Sequence, residues 1–273
     1  MDELTQLPLI EQEVLEGMKT EMAQLEALKV GICLPEDEGR ELAKKANVKI
    51  LSSRWVLTQK KVGLARCRLV VREFASGADS PFKSGIYAPT SSLDSLRAVL
   101  GIAHLRKLHL RTLDVSTAFM YAPVEDDSCD LVMLPSNITT ESRRGRRAVQ
   151  RVICKLLKAM NGLRRAPLLW FKELLRRVNS LHKGPGTTQT FEPTLFRLEL
   201  RPGALILLLV YVDDLLLASP AEKALDELVG LLQSVWKIKV TGSLPWGMPG
   251  VLQSFFPAIW GSISHPGFQT ICG

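Results

Sequence analysis

The sequence predicts an α+β fold, and three observations support this class. Apolar residues recur every three or four positions in several segments, which predicts amphipathic helices. Elsewhere apolar and polar residues alternate, or apolar runs flank a short polar turn, which predicts strands and hairpins. The helices and strands lack the regular strand–helix–strand alternation of a doubly wound parallel sheet. An α+β class is therefore favoured.

The N-terminal part of the chain predicts helices followed by a basic hairpin. Residues 9–30 carry an apolar stripe at helical spacing, and residues 36–46 predict a second, shorter helix. Residues 48–74 alternate as strands, and their basic side chains fall on one face of a hairpin. That face carries Arg66, Arg68 and Arg72, with Lys60 as an additional candidate. An ordinary exposed sheet face explains the same pattern.

The remaining elements are predicted from the same periodicities. Residues 92–108, 166–181 and 221–235 have the apolar spacing of amphipathic helices, and Pro167 suits a first helical turn. A short strand is predicted over residues 110–115, and a basic loop separates it from the next helix. The predicted order is helix, strands, helix, strand, basic loop, helix, strand hairpin, helix.

A pair of acids inside an apolar hairpin is the most specific chemical signal. Tyr211-Val-Asp-Asp214 lies between two apolar runs and predicts strand, tight turn and strand. Two adjacent carboxylates in such a setting are costly to bury without a partner. Carboxylate oxygens suit hard cations, so Mg²⁺ is the natural partner.

Asp114 is a third candidate, because it lies at the end of the strand predicted over residues 110–115. If that strand lies beside the hairpin, Asp114 comes near Asp213 and Asp214. Three such carboxylates could hold two Mg²⁺ ions about 3.5–4 Å apart, the arrangement used for in-line phosphoryl displacement. Taken alone, Asp114 is more often a turn residue at a strand end.

Charge is distributed unevenly along the chain. The net charge is +7, but residues 1–41 carry 11 acids and 3 bases, whereas residues 42–273 carry 17 acids and 32 bases. The densest basic stretch, residues 143–177, holds 12 Lys or Arg and one acid, Glu173. Such a field attracts polyanions, nucleic acid first. A solvated basic face is the alternative.

Cysteine usage and the termini point to an intracellular protein. Five cysteines are scattered without a CxxC pair, and the four histidines are not near them at zinc-ligand spacing, so reduced thiols are expected. The N-terminus lacks the basic start and apolar core of a signal peptide. The apolar run before Tyr211 is too short to span a membrane, and two acids follow it. We therefore expect neither secretion nor membrane insertion.

Eight short motifs follow one another along the chain. They are Trp55-Val56 with Ala65-Arg-Cys-Arg-Leu-Val-Val-Arg72, Tyr87-Ala-Pro-Thr90, Leu113-Asp-Val-Ser-Thr-Ala-Phe119, Val132-Met-Leu-Pro135, Cys154-Lys-Leu156, Gly162-Leu-Arg-Arg-Ala-Pro167 with Trp170, Glu192-Pro-Thr-Leu-Phe196 and Tyr211-Val-Asp-Asp214. On these motifs the chain resembles the reverse transcriptase domain of copia-type retrotransposon Pol polyproteins. The resemblance covers about residues 13–240. It implies right-hand polymerase fingers and palm with a mixed or antiparallel palm sheet.

The resemblance also implies an activity and a metal site. An RNA-directed DNA polymerase adds deoxynucleoside triphosphates to a primer on an RNA or DNA template, inside a cytoplasmic particle or the nucleus. Asp114, Asp213 and Asp214 would bind two Mg²⁺ ions, with Mn²⁺ as an alternative, and Asp213 would be the more direct ligand. The carbonyl of Val115 would complete a coordination shell. Phe119 would exclude a ribose 2′-hydroxyl, although core packing also explains this ring.

Further positions are implied to contact substrates. The nucleotide-binding set comprises Arg66, Arg68, Arg72, Phe119, Asn161, Gly162 and Tyr211. The nucleic-acid-binding set comprises Arg143, Arg144, Arg146, Arg147, Arg164 and Arg165. Asn161 and Arg165 stand where the family commonly has Tyr and Gln, so nucleotide affinity or fidelity would differ.

The resemblance divides the chain into an N-terminal helical segment over residues 1–47, fingers and palm over 48–240, and a tail over 241–273. Residues 242–273 contain no Lys, Arg, Asp or Glu, and their Pro and Gly predict little regular structure. The thumb and ribonuclease H of the family are not recognisable. We hypothesise that the reading frame or exon structure breaks near residue 240 and that residues 242–273 are not family sequence, and comparison of the other two frames of the DNA would test this.

Three functions compete at this stage. The first is an RNA-directed DNA polymerase, and the second is a catalytically inactive remnant that only binds nucleic acid. The third is a small phosphotransferase on another scaffold, which is disfavoured because neither GxxxxGK[ST] nor GxGxxG occurs.

Overall fold

The computed structural model describes residues 1–74, 86–125, 129–141, 149–183 and 192–244. These ranges contain helices and two β-sheets, which confirms the predicted α+β class. They form two compact units. The first unit comprises Met1–Ala88 and Phe119–Glu173, and the second comprises Pro89–Ala118 and Leu174–Gly273.

The first unit is built on a six-stranded sheet. Its elements are α1 (Glu11–Ala27), β1 (Gly31–Pro35), α2 (Glu36–Ala46), β2 (Ile50–Lys61), β3 (Leu64–Arg72), and, after the second unit's first segment, β5 (Leu131–Met133), β6 (Thr139–Glu141) and β7 (Val149–Leu156). The strand order is β1-β7-β5-β2-β3, with β6 on β7. The β2–β5 pair is parallel and the other pairs are antiparallel. The helix α4 (Ala166–Leu181) begins in this unit.

Strand β3 shows the alternation that its sequence predicts. Ala65, Cys67, Leu69 and Val71 are buried, and the arginines between them are exposed. Helix α1 covers the free edge of this strand, where the Leu69 N–H donates to the Glu21 carboxylate at 3.3 Å. Burial raises the pKa of Glu21. The edge is thus protected from pairing with another chain.

The second unit is built on a five-stranded antiparallel sheet. Its elements are α3 (Leu93–Leu105), β4 (His109–Val115), β8 (Leu195–Glu199), β9 (Leu205–Tyr211), β10 (Asp214–Ser219), α5 (Glu222–Gln233) and β11 (Ile238–Leu244). The strand order is β11-β4-β10-β9-β8. A short 3₁₀-helix, Ala118–Tyr121, lies where the chain returns to the first unit.

Helix α3 packs on strands β9 and β10 and buries one core of this unit. The cluster comprises Leu96, Val99, Ala103, Leu108, Leu209, Leu216 and Ala218. Each fully buried Leu or Val in such a core contributes about 1.5–3 kcal/mol. The Ser92 side chain accepts the Ser95 N–H at 3.0 Å and caps the helix. The core holds β10 rigidly, and β10 begins at one of the candidate acids.

The helix predictions are confirmed, whereas several strands were missed. Helices were found at all five predicted positions, and α2 and α4 match the predicted bounds. The predicted basic loop before α4 was wrong where the structure describes it, because β5, β6 and β7 lie there, whereas residues 142–148 lie outside the described ranges. Val152, Ile153 and Cys154 of β7 are all buried, so the strand has no polar alternation to reveal it. The strands β1 and β8 were missed as well.

Strand β11 also departs from expectation. It runs to Leu244, so the first three residues of the segment expected to lack regular structure belong to a strand. The rest of that segment, from residue 245, lies outside the described residues. None of the described helices is both long and apolar enough to cross a membrane.

Candidate active site

The second unit's sheet brings the predicted acids together. Asp214, the first residue of β10, pairs with Asp114 near the end of β4. The next pair outward is hydrogen-bonded, because the Val115 N–H donates to the Asp213 carbonyl at 2.9 Å. Asp114 and Asp214 therefore form a non-hydrogen-bonded pair, in which the Cα atoms lie about 4.5 Å apart and the side chains share one face. The expected adjacency of the two strands is confirmed.

A strained turn presents Asp213. Tyr211 and Asp214 close the hairpin, so Val212 and Asp213 form a two-residue loop. Val212 has a φ of +57°, whereas Asp213 is not among the residues with positive φ. This is the pattern of a type II′ turn, which normally has Gly at its first position. A β-branched residue there costs about 1–3 kcal/mol, which the flanking buried strands must offset.

Burial and its acidic neighbours perturb Asp214. Burial raises the pKa of Asp214 to about 6, and repulsion by Asp213 and then Asp114 adds to the effect. Asp214 is half-buried, so the side chain is only partly hydrated. A raised carboxyl pKa means that the ionised cluster costs stability above pH 6, and that this cost disappears as the pH falls towards 4.

A divalent cation fits this cluster in charge and in donor type. Carboxylate oxygens are hard ligands, and a cation would offset the repulsion that adds to the effect of burial on the Asp214 pKa. Within the described ranges, however, no three His, Cys, Asp or Glu side chains form a group that could hold a metal ion. The acids are thus close enough to couple electrostatically without forming a ready-made three-carboxylate site. Oxygens from a backbone carbonyl or a bound phosphate would have to complete a coordination shell.

Lys239 is a cation on the same sheet face that the sequence reasoning missed. It lies on β11 directly opposite Asp114, and it is exposed. Cross-strand partners share a sheet face, so Lys239 lies on the same face of the sheet as Asp114. The signal was available, because Trp236 and Ile238 are apolar, and Lys237 and Lys239 alternate with them as in a half-buried strand.

The predicted arginine face lies on β3 in the first unit. Arg66, Arg68 and Arg72 are exposed and alternate with buried residues, so they share one side of the strand. The Arg72 Nε donates to the Ser52 Oγ at 3.0 Å. This hydrogen bond links the last residue of β3 to the neighbouring strand β2 and limits the freedom of that guanidinium.

The segment that contains Asn161 and Gly162 is fastened to the same strand. The Val71 N–H donates to the Asn161 carbonyl at 2.8 Å. Gly162 has a φ of +89°, and a Cβ placed on it would lie 2.0 Å from the Val71 carbonyl oxygen. Only glycine fits such a close approach. The Arg164 N–H donates to the Glu73 carboxylate at 2.8 Å and completes the attachment.

The other predicted residues have different surroundings. Arg165 forms an ion pair with Asp130, which competes with its predicted contact to a nucleic-acid phosphate. Phe119 is half-buried in the 3₁₀-helix, and Tyr211 is 39% exposed at the end of β9. The remaining predicted positions, Arg143, Arg144, Arg146 and Arg147, lie outside the described residues.

Comparison with known proteins supports the resemblance. Residues 41–246 match the family described as reverse transcriptase (RNA-dependent DNA polymerase). The chain is 28% identical over 198 residues to the retrovirus-related Pol polyprotein from transposon TNT 1-94 of Nicotiana tabacum, which covers 70% of this chain and 14% of that protein. It is 27% identical over 199 residues to the retrovirus-related Pol polyprotein from transposon RE1 of Arabidopsis thaliana, covering 71% and 13%. The chain thus spans about one seventh of the length of the curated relatives it matches.

Proposed function

Because the chain belongs to the reverse transcriptase (RNA-dependent DNA polymerase) family, we propose that it extends a primer 3′ end with deoxynucleotides on an RNA template. The copia-type resemblance drawn from the motifs is confirmed by the same comparisons. The observation that carries the proposal is the register of β4 and β10. It sets Asp114 against Asp214 and leaves Asp213 in the adjoining turn.

The acids are proposed to bind Mg²⁺ or Mn²⁺ together with the Val115 carbonyl. Such ions would lower the pKa of the primer 3′-hydroxyl and neutralise charge on the triphosphate. The protein's own contribution is to hold two carboxylates on neighbouring strands and the third in the adjoining turn, so that little reorganisation is needed. The turn that carries Asp213 has Val212 at positive φ, and Lys239 lies opposite Asp114 on the neighbouring strand β11.

Residues of the first unit are proposed to bind the substrates. Arg66, Arg68 and Arg72 offer a row of positive charge to the nucleotide triphosphate, because guanidinium groups pair well with phosphate. The rigid Asn161–Gly162 turn and Phe119 would contact the nucleotide. Arg164 and the four arginines within residues 143–147 would contact the nucleic-acid backbone without reading its sequence.

Primer extension tests the proposal. The 273-residue chain is incubated with a primed RNA template, deoxynucleoside triphosphates and Mg²⁺, and the products are resolved by length. Wild-type protein should extend the primer, and Asp213→Asn should reduce extension to background. Asp94→Asn is the matched control, because Asp94 is an exposed aspartate of the same unit, whose side chain is 88% exposed and paired with Arg97. Its extension should match the wild type.

Two results would contradict the proposal. Primer extension that persists in Asp213→Asn would show that the acids do not take part in the reaction. Wild-type protein that binds the primed template without extending it would instead favour the nucleic-acid-binding remnant. Binding through the basic stretch should weaken steeply with salt, since phosphate contacts release counterions.

A further inference from the structure

Two cysteines of the first unit face each other across neighbouring strands. Cys33 on β1 pairs with Cys154 on β7 in the antiparallel register. Along β7 the Leu157 N–H donates to the Val30 carbonyl at 2.8 Å, whereas the Leu156 N–H donates the other way, to the Asp130 carbonyl at 2.9 Å. The alternation continues along the strand, so the Cys154 N–H faces β5. Cys33 and Cys154 therefore form a non-hydrogen-bonded pair.

This type of pair has the spacing that a disulfide requires. Cα atoms in non-hydrogen-bonded pairs lie about 4.5 Å apart, and disulfides form at Cα separations of about 4.4–6.8 Å. The neighbouring Gly31 gives the sulfur room, because a Cβ there would lie 2.4 Å from the Cys154 Sγ. Gly31 and Cys33 share a strand face, so the Cys154 sulfur lies on the side of the sheet that carries the Cys33 thiol.

The two thiols differ in accessibility and acidity. Cys33 is exposed, and Cys154 is buried. The hydrogen bond from the Cys154 thiol lowers the pKa of Cys33 to about 7, and the same bond together with burial raises the pKa of Cys154. Cys67 has a different environment, because its thiol donates to the Val14 carbonyl at 3.4 Å and burial raises its pKa. An exposed thiolate beside a buried thiol is the arrangement of an attacking and a resolving cysteine.

We propose that Cys33 and Cys154 form an oxidisable dithiol that reacts with hydroperoxides and closes to an intramolecular disulfide between β1 and β7. The Cys33 thiolate attacks a peroxide oxygen, the O–O bond breaks, and the departing hydroxide takes up a proton to leave as water. Cys33 is then a sulfenic acid. The Cys154 sulfur attacks the Cys33 sulfur, its proton joins the departing hydroxide, and a second water leaves. Two thiols are oxidised by two electrons as one hydrogen peroxide is reduced to two waters.

The bridge would be reversible and would tie the N-terminal helices to the sheet. A thiol reductant can reach the bridge at the exposed Cys33 and reverse it by thiol–disulfide exchange. Strand β7 pairs with β1, β5 and β6, and the chain runs from it to the Asn161–Gly162 turn. Closing the disulfide fixes β1, and with it the segment between α1 and α2, to this central strand.

Mass spectrometry of the full chain tests the proposal. Reduced protein at pH 7 is treated with one equivalent of hydrogen peroxide, alkylated and digested with trypsin without reductant. The expected product links the peptide of residues 30–40 to the peptide of residues 152–155. Before alkylation, the mass of the intact oxidised protein should be lower than that of the reduced protein by the two hydrogens that are lost. Cys33 should react about tenfold faster than an ordinary thiol, because its lowered pKa leaves more of it as thiolate at this pH. Dithiothreitol should release both peptides.

Variants identify the role of each thiol. Cys154→Ser should leave Cys33 as a sulfenic acid that dimedone traps, and Cys33→Ser should leave Cys154 reduced. Cys129→Ser is the matched control and should form the linked peptide as the wild type does. The proposal is overturned if wild-type Cys33 stays reduced, accumulates as sulfenic acid, or is found linked to another cysteine or another chain. The wild-type digest decides this even where a variant does not fold.

Discussion

Replacing Asp114 by Asn should stabilise the metal-free protein while abolishing primer extension. The substitution removes one of the two like charges that repel Asp214, and it keeps the shape of the side chain. At a position whose residue serves only stability, the same change should not stabilise the protein, because polar-to-polar substitutions at half-buried positions are usually neutral or destabilising. Opposite effects on stability and on activity would therefore identify the acids as a functional cluster.

The size of the effect follows from the geometry. Two unit charges about 5 Å apart repel by about 0.8 kcal/mol in water, and somewhat more where hydration is partial. Asp114 is the smallest of the three causes that raise the Asp214 pKa, and Asp214 is only half-buried, so screening keeps the gain near 0.5–1 kcal/mol. A gain of this size raises Tm by about 1–4 °C in a protein of this length.

Thermal unfolding in EDTA between pH 4 and 8 measures the gain. Wild-type stability should fall as the pH rises through the window between 3.8, the ordinary Asp pKa, and about 6, because the folded state holds a proton there that the unfolded state has lost. The advantage of Asp114→Asn should therefore be largest above pH 6 and vanish near pH 4. Adding Mg²⁺ should stabilise the wild type more than the variant. Asp94→Asn, remote in sequence and exposed, should show neither effect.

Either of two results would refute this reasoning. A Tm that Asp114→Asn lowers by several degrees at pH 7.5 in EDTA would show that Asp114 is held by favourable contacts rather than repelled. Alternatively, Mg²⁺ could stabilise the variant as much as the wild type. The cluster would then not be where the cation binds.

Two further substitutions test the turns. Gly162→Ala should destabilise the fold by about 2–4 kcal/mol, because the new Cβ would clash with the Val71 carbonyl and the φ of residue 162 is positive. Chemical denaturation measures the change in the free energy of unfolding. Gly101→Ala is the control: no atom lies within 4 Å of its Cβ, so this change should instead stabilise the fold by about 0.5–1 kcal/mol. Equal effects of the two changes would show that the close approach is absent. Val212→Gly should relieve turn strain and raise stability by about 1 kcal/mol, yet slow single-turnover extension because Asp213 is oriented less firmly. Extension as fast as the wild type would disprove a role for the strain.

The sequence determined the elements whose signals are local. Helices α2 and α4 were predicted with their observed bounds, since apolar spacing and the position of Pro167 act within a few turns. The acid hairpin was also predicted, because apolar runs on both sides leave the chain little choice but two strands and a tight turn. The roles of the acids, the arginines and Phe119 remain predictions that the proposed experiments address.

Only the tertiary structure decided which strands lie side by side. The pairing of Asp114 with Asp214 joins residues 100 positions apart, and that of Cys33 with Cys154 joins residues 121 positions apart. Strand β7 was missed because a strand buried on both faces has no alternation, and Lys239 gained meaning only when β11 was placed against β4. A strand's own pattern specifies which face is buried, but its partner and register depend on how the whole sheet closes its core. That is why the acid hairpin could be predicted from the chain, whereas the strand pairings that set Lys239 opposite Asp114 and Cys33 opposite Cys154 could not.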